Sequence, residues 1–316
     1  MNKNKNYCIV FSTKNQYRTF EELLFAKSAA RFQDVLLINV DADSNERQLK
    51  MAEEVCSRND IHWINKDNPK SGIAMQNCIK LADDWLIKNK VNVDWILHFH
   101  DDCYPTSTNF WEELDKYLEK YNNFNEEVGM FGFNVGGNKL GRGCLQEEIL
   151  EPPHSGWYSQ HMPKEYYTTD YFVAEVPFWC GVGINRNLFR KHIEVDNGYK
   201  LNLWGDDVAH QFMYKGIYNI VFPKLNVIHD IDGKKKLGEQ ESFQYHNLYS
   251  KDEEHKTFRD KWKFTWGYRN TNLRNEFNSA FSFYDGTIQE KLFSTKISSG
   301  PKTIDYYKNM SLSFNI

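Results

Sequence analysis

The chain has 316 residues, with 39 Lys and Arg against 43 Asp and Glu, and a formal net charge of -4. This length can bury a large core and suits one large domain, or one and a half domains. A charge this small gives no reason to expect nucleic acid or an anionic membrane as the principal partner. Because no stretch approaches the ~20 apolar residues of a membrane span, we expect no transmembrane segment.

The N-terminus and the cysteines indicate the compartment. The first apolar run, residues 8–11, is too short for the hydrophobic core of a signal peptide. The six cysteines include no Cys-x-x-Cys pair and do not form the dense framework of a small secreted protein. We therefore expect a reduced, cytoplasmic protein, with a peripheral position at the inner face of the membrane as the alternative.

The first hundred residues alternate between strand and helix patterns. Apolar runs typical of buried parallel strands occupy residues 7–13, 34–40 and 61–64, and a fourth opens the stretch 95–105. Between them, apolar residues recur at helical spacing, and Ser44 is the predicted cap of the second helix. Repeated strand–helix–strand units of this length predict an α/β fold with a mostly parallel central sheet flanked by helices.

The second half of the chain is less regular. Helices are predicted near 110–118 and 187–192 and from residue 204 to Lys215-Gly216, and strands at 128–133, 218–223 and 225–229. The apolar stretch 171–184 is strand-like but interrupted by Pro177 and two glycines. Residues 136–169 form a long irregular segment, of the kind that often serves as a functional loop or lid. Beyond Asp232 lies an aromatic-rich extension, for which packing on the core is favoured over an interface.

An acidic motif, His100-Asp101-Asp102, follows the apolar run of the fourth strand. Ligands of open α/β sheets gather beyond the carboxyl ends of such strands. Two carboxylates beside a histidine can hold a divalent cation, which neutralises the charge of a departing diphosphate. We therefore expect Asp102 to be a metal ligand and Asp101 to lie nearer the sugar or ribose. The alternative is an ordinary acidic turn before a helix.

Two further segments are suited to a nucleotide. Asp41-Ala42-Asp43 follows the second strand, where a carboxylate can accept a hydrogen bond from a base or a ribose hydroxyl. The alternative there is a turn with a helix-capping acid. In the segment from Asn68 to Asn77, Gly72 at a helix start would let backbone N–H groups approach a phosphate. One glycine alone does not identify such a site.

A second acidic motif, Trp204-Gly205-Asp206-Asp207, opens a predicted helix. A carboxylate in the first helical turn can face a cleft and take the proton of an acceptor hydroxyl as a bond forms. The alternative is that these acids only complement the helix dipole.

In order and spacing, these segments resemble the GT-A fold glycosyltransferases, especially the large inverting family 2 type, over about residues 7 to 230. The first strand and loop of that family resemble residues 9–15, and its nucleotide-binding acid falls on residues 40–44. Its glycine-led helix start resembles residues 72–77, its DxD motif falls on residues 100–102, and its acceptor-side acid pair falls on residues 204–207.

The resemblance implies roles for individual residues. Asp207 would be the catalytic base, Asp206 an acceptor-binding acid, and Asp102 and His229 the metal ligands. An imidazole among oxygen ligands suits Mn²⁺ better than Mg²⁺, although His229 could instead be a strand-end histidine without a ligand. The implied contacts to the nucleotide sugar are Ser12, Asp41, Asp43, Asn68, Gly72, Asn77, His100 and Asp101.

The sequence also departs from the family pattern. His100 stands at the first DxD position, and Asp206 stands where glutamate is usual. The segment 180–183, Cys-Gly-Val-Gly, resembles the acceptor-side lining, in which small residues would let the donor sugar contact the backbone.

We therefore predict a GT-A domain at residues 1–232, with a nucleotide-sugar half at 1–105 and an acceptor half at 106–232, followed by an extension at 233–316. The expected activity is metal-dependent, inverting transfer from a nucleoside-diphosphate sugar, preferably a UDP-sugar, to a glycan, glycolipid or glycoprotein, as in bacterial polysaccharide assembly. A nucleotidyltransferase is an alternative, although the loop after strand one lacks the glycines it needs. A non-catalytic sugar-binding protein is another, and the oligomeric state stays open.

Overall fold

The computed structural model describes residues 5–22, 35–41, 44–64, 75–121, 123–137, 167–174, 176–177, 181–199, 204–229, 251–262, 303–305 and 308. The helices in these ranges are α1 (Tyr17–Glu21), α2 (Glu46–Arg58), α3 (Met75–Lys88), α4 (Phe110–Lys120), α5 (Phe124–Glu127), α6 (Arg186–His192), α7 (Trp204–Tyr214) and α8 (Lys251–Trp262). The strands are β1 (Tyr7–Thr13), β2 (Leu36–Asp41), β3 (Ile61–Ile64), β4 (Trp95–His100), β5 (Cys103–Pro105), β6 (Val128–Gly137), β7 (Phe172–Ala174), β8 (Gly181–Asn185) and β9 (Tyr218–His229).

The nine strands of the described chain form one sheet in the order β3-β2-β1-β4-β8-β6-β9-β5, with β7 paired to β9. Strands β1 to β4 are parallel, and β8 runs antiparallel between β4 and β6. Because β9 is parallel to β6, both run in the direction of β4. The predicted mostly parallel sheet is confirmed, and the carboxyl ends of β1, β2, β4, β6 and β9 meet at one edge.

Helices cover both faces of this sheet. Successive strand residues point to opposite faces, so Ile9 and Phe11 join one buried cluster, whereas Cys8 and Val10 join the other. The first cluster packs against α1, α2, α4 and α5, and the second against α3, α6, α7 and α8. The result is a three-layer arrangement, with the carboxyl ends of the parallel strands along one edge of the sheet.

Local details differ from the sequence prediction. The cap of α2 is Asn45, whose side chain accepts from the backbone N–H of Gln48 at 3.0 Å. Ser44 instead accepts, through its Oγ, from the backbone N–H of Asn15 at 2.9 Å. The predicted cap was therefore wrong by one residue, because α2 begins at Glu46 and the hydroxyl of Ser44 bonds to the loop after β1 instead.

The strands of the second half also differ in their limits. The stretch 171–184 divides into β7 and β8, which pair with different neighbours. The two short strands predicted at 218–229 are one continuous strand, β9, whose register with β6 shifts between Phe222 and Asn226. Pro223 lies at this shift, and proline cannot donate to a strand ladder.

Two glycines of β8 accommodate aromatic rings. A Cβ at Gly183 would lie 2.0 Å from the ring of Phe131, and one at Gly181 would lie 3.2 Å from the ring of Phe99. The small residues of this strand therefore let phenylalanines pack closely within the sheet. This packing accounts for the small residues of β8, and the acceptor-side lining expected for residues 180–183 stays a prediction.

The C-terminal extension contributes a helix to the core. On α8, Glu254, Phe258 and Trp262 are buried at four-residue intervals, and the Phe258 ring lies 5.5 Å from that of His210 on α7. The favoured core packing is thus confirmed for these two aromatic residues. The division of the chain at residue 232 stays a prediction.

Two further findings concern the state of the cysteines and the possibility of a membrane-spanning helix. Cys8, Cys56, Cys78 and Cys103 are buried free thiols. In the part of the chain that is described, no helix has the length and apolar character that crossing a membrane requires.

A surface ion cluster joins α4 to β9. Lys120 and Lys224 lie 2.6 and 3.0 Å from the Asp170 carboxylate, and the Tyr121 hydroxyl donates to it at 3.0 Å. The hydrogen bond from Lys120, followed by those from Lys224 and Tyr121, lowers the pKa of Asp170 from 3.8 to about 2.

This cluster should make stability depend on acid pH. Because the folded-state pKa is lowered, the carboxylate stabilises the fold above about pH 4, and the contribution is lost as the pH falls towards 2. We expect Asp170→Asn to lower the free energy of unfolding by about 0.5–1 kcal/mol at pH 7, since exposed ion pairs are screened by solvent. Urea unfolding should show that the difference from the parent protein shrinks to roughly a third of its pH 7 value at about pH 2.5, midway to its complete loss below the folded-state pKa. An equal difference at both pH values would contradict this.

Candidate functional site

The acidic motif lies in the tight turn between β4 and β5. Asp101 and Asp102 are both buried, at 2% and 3% exposure. Across the antiparallel β5–β9 pair, Cys103 is the register partner of His229, so their Cα atoms are about 5 Å apart. The fold thus brings residue 229 beside an acid pair about 127 residues away in the chain, while its side chain lies outside the described set.

The donor chemistry of this turn fits a divalent cation. Carboxylate oxygens from Asp101 and Asp102, with an imidazole from a strand in register, are a set that suits Mn²⁺. Among the described side chains, no group of three or more His, Cys, Asp or Glu is arranged to hold a metal ion. The assignment of Asp102 and His229 as ligands therefore stays a prediction.

A buried histidine, His98, lies on β4 close to the carboxyl ends of β1 and β4. Ser12 is the register partner of His100 on the neighbouring strand, and its Oγ lies 2.9 Å from Nε2 of His98. Burial, and then the charge of His100, lowers the pKa of His98 well below its ordinary value. His98 is therefore neutral and supports both the Ser12 loop and the ring of Trp204, which lies 5.0 Å away.

The acid that ends β2 is enclosed by its own neighbours. The Tyr17 hydroxyl donates to Oδ2 of Asp41 at 2.7 Å, and the backbone N–H of Ser44 donates to Oδ1 at 2.8 Å. Asp41 is fully buried, and these two bonds hold Tyr17 and Ser44 against the end of β2. Contact of Asp41 with a nucleotide stays a prediction, and Asp43 lies outside the described residues.

The start of α3 faces the loop that precedes α7. Asn77 donates to Asn197, and the side-chain oxygen of Gln76 accepts from the backbone N–H of Asp196 at 2.8 Å. The nucleotide contact predicted for Asn77 is not tested by this geometry. Asn68 and Gly72 lie outside the described residues.

The acids at the start of α7 are buried. Asp206 is 6% exposed and Asp207 is fully buried. Because Trp204 packs on His98 of β4, the first turn of α7 lies near the same strand end as the other acidic motif. The roles of Asp206 and Asp207 with an acceptor stay predictions.

Four side chains donate to the Asp207 carboxylate. Gln76 and Gln211 contact Oδ2 at 2.9 and 2.8 Å, Trp262 Nε1 contacts Oδ1 at 2.8 Å, and the Lys261 ammonium bridges both oxygens at 3.0 and 2.8 Å. None of these donors was predicted from the sequence. Gln211 could have been found from its four-residue spacing, but the partners from α3 and α8 give no local signal.

No protein-family model matches the chain, and no curated protein sequence matches it. Its structure is similar to that of GalNAc-T7 with UDP, GalNAc and Mn²⁺, with a TM-score of 0.54 and 12% identity over 98% of this chain and 57% of that one. It therefore spans little more than half of that protein.

Two other solved structures are similar in part. TarS from S. aureus has a TM-score of 0.48 and 9% identity over 88% of this chain and 48% of that one. The mannosyltransferase PcManGT from Pyrobaculum calidifontis, in complex with GDP-Man and Mn²⁺, has a TM-score of 0.49 and 10% identity over 92% of this chain and 79% of that one.

The fold assignment depends on the first of these likenesses, which has the highest TM-score of the three. The large central sheet flanked by helices is the GT-A glycosyltransferase fold, as the sequence predicted.

Proposed function

We propose that this protein is a metal-dependent glycosyltransferase that moves a sugar from a nucleoside-diphosphate sugar to an acceptor hydroxyl. The observation that carries the proposal is the position of the acid turn on a GT-A sheet. Asp101 and Asp102 lie where β4 leaves the sheet, and β5 brings the end of β9, with His229, into register beside them. Ligands of α/β sheets bind at this edge.

Asp102 and His229 would hold a Mn²⁺ ion, with Mg²⁺ as the alternative, and the bound ion supplies positive charge for the diphosphate. Ser12, His100 and Asp101 would contact the nucleotide sugar from the ends of β1 and β4. The similarity to GalNAc-T7, which was solved with UDP, GalNAc and Mn²⁺, supports this class of donor. A UDP-sugar and inversion at the anomeric carbon remain part of the proposal.

In the proposed reaction, the acceptor oxygen forms a bond to the anomeric carbon. The bond from that carbon to the diphosphate oxygen breaks, and its electron pair leaves with the diphosphate. The acceptor proton passes to the carboxylate of Asp207, while Asp206 orients the acceptor. Neutral His98 contacts both Ser12 and Trp204, so it keeps the end of β1 and the start of α7 in place without adding charge.

A thermal-shift screen of UDP-, GDP- and CDP-sugars, with and without Mn²⁺, tests the proposal. The true donor with Mn²⁺ should raise the melting temperature by about 5 °C at a concentration of ~100 Kd. Asp102→Asn should weaken the binding of this donor in the presence of Mn²⁺ by about 10- to 100-fold, the usual effect of disturbing a metal site. Release of the nucleoside diphosphate, measured with the same donor, then establishes turnover.

A matched control is Asp94→Asn, because Asp94 precedes the amino end of β4 on the opposite side of the sheet. It should leave the donor-induced shift unchanged. If no nucleotide sugar stabilises the protein with any divalent metal, the assignment is wrong. Stabilisation without turnover would favour a sugar-binding protein.

A further inference from the structure

The Asp207 carboxylate has no acceptor position left for a substrate. A carboxylate offers about four lone-pair directions, and the donors from Gln76, Gln211, Lys261 and Trp262 make five contacts with it. An incoming hydroxyl that gives its proton to Asp207 must therefore replace one of these donors.

Lys261 is by far the most exposed of the four donors. Gln76 is fully buried, and Gln211 and Trp262 are 8% and 9% exposed. The side chain of Lys261 is 27% exposed. Its contacts with the carboxylate are therefore the ones that a ligand arriving from solvent can displace without opening the core.

The Lys261 ammonium also has a second anion nearby. Oδ2 of Asp196 lies 3.9 Å from its Nζ, and Asp196 is held in place by hydrogen bonds to Gln76 and Gly198. The rings of Tyr199 and Trp262 lie 5.9 and 5.6 Å from the same nitrogen. Asp196 can thus serve as an alternative ion-pair partner when Lys261 leaves Asp207.

We infer that the Lys261 ammonium occupies the place of the acceptor hydroxyl on Asp207 and competes with the acceptor for it. Gln76, Gln211 and Trp262 then stay as positioning residues that orient the carboxylate during transfer. This inference rests on the proposed function. It assigns to α8, outside the part of the chain that resembles the family, a direct influence on acceptor binding.

Carboxyl footprinting with a carbodiimide and glycine ethyl ester tests, without any substrate, whether Lys261 shields the carboxylate of Asp207. Asp207 in the parent protein should react slowly, and in Lys261→Ala it should be labelled about fivefold faster, the factor that a partly exposed ion pair provides. Lys256→Ala is the matched control, since Lys256 lies on the same helix but pairs with Asp260 in solvent. Unchanged labelling of Asp207 in Lys261→Ala overturns the inference.

Steady-state kinetics, measured with the donor that the screen identifies, test whether Lys261 competes with the acceptor for Asp207. Lys261→Ala should lower the acceptor KM about fivefold, or raise hydrolysis when water is the acceptor, with donor binding unchanged. Lys261→Arg should behave like the parent protein, and Trp262→Phe, which loses the indole N–H, should reduce kcat instead. If the parent protein turns over but Lys261→Ala loses activity with donor binding intact, the inference fails and the function stands. If no donor binds, both fail.

Discussion

Asp83→Asn is expected to lower the free energy of unfolding by about 3–5 kcal/mol, the usual cost of breaking a buried ion pair from one side. Asp83 on α3 accepts from Nε of Arg186 at 2.5 Å, and the two side chains are only 6% and 7% exposed. Arg186 also donates to the carbonyls of Val91 and Val93. It therefore cannot turn to solvent when its partner loses its charge.

Urea unfolding at pH 7 measures this loss. Asp84→Asn is a close control, because the neighbouring Asp84 pairs with Lys80 in solvent, with both side chains 52% exposed. The control should change stability by less than about 0.5 kcal/mol. A similar small effect for Asp83→Asn would show that the pair contributes little. The double variant Asp83→Leu, Arg186→Met should recover much of the loss.

This ion pair also bears on the site. It joins α3 to the start of α6, directly after β8, and the first turn of α3 carries Gln76, which donates to Asp207. We therefore expect Asp83→Asn to loosen the surroundings of Asp207 before the protein unfolds. Hydrogen exchange at the start of α7 should increase more than exchange in β1.

Gly183→Ala is expected to cost about 3 kcal/mol, the upper end of the usual range for overpacking a core. Its Cβ would lie 2.0 Å from the ring of Phe131, which is fully buried. The rings of Trp95 and Phe222 lie 4.8 and 5.3 Å from Phe131 on other sides. The ring therefore has no free space into which it can move.

Gly181→Ala provides the comparison, since it lies on the same strand and faces Phe99 at 3.2 Å, a contact that a small shift relieves. It should cost less than about 1 kcal/mol. Thermal unfolding of the two variants checks the difference, and equal melting temperatures would contradict the packing argument. Retained donor binding by folded Gly183→Ala would agree with a packing role for this glycine.

Sequence patterns identified most of the architecture because they are local. Continuous apolar runs marked β1 to β4, and helical spacing marked α2 and α3. Such periodicity reports burial directly. The positions of both acidic motifs at element boundaries followed from the same patterns. The limits of β7, β8 and β9 did not follow, because they depend on which strands pair and on how Pro223 is accommodated.

The sequence by itself therefore determined the α/β class, the parallel first half and the placement of candidate acids at strand and helix ends. Only the tertiary structure decided what surrounds those acids. Asp41 is enclosed by Tyr17, and Asp207 is bound by Gln76 and by Lys261, which are 131 and 54 residues away in the chain. Hydrogen bonds over such separations depend on packed geometry, and no local pattern of residues records them.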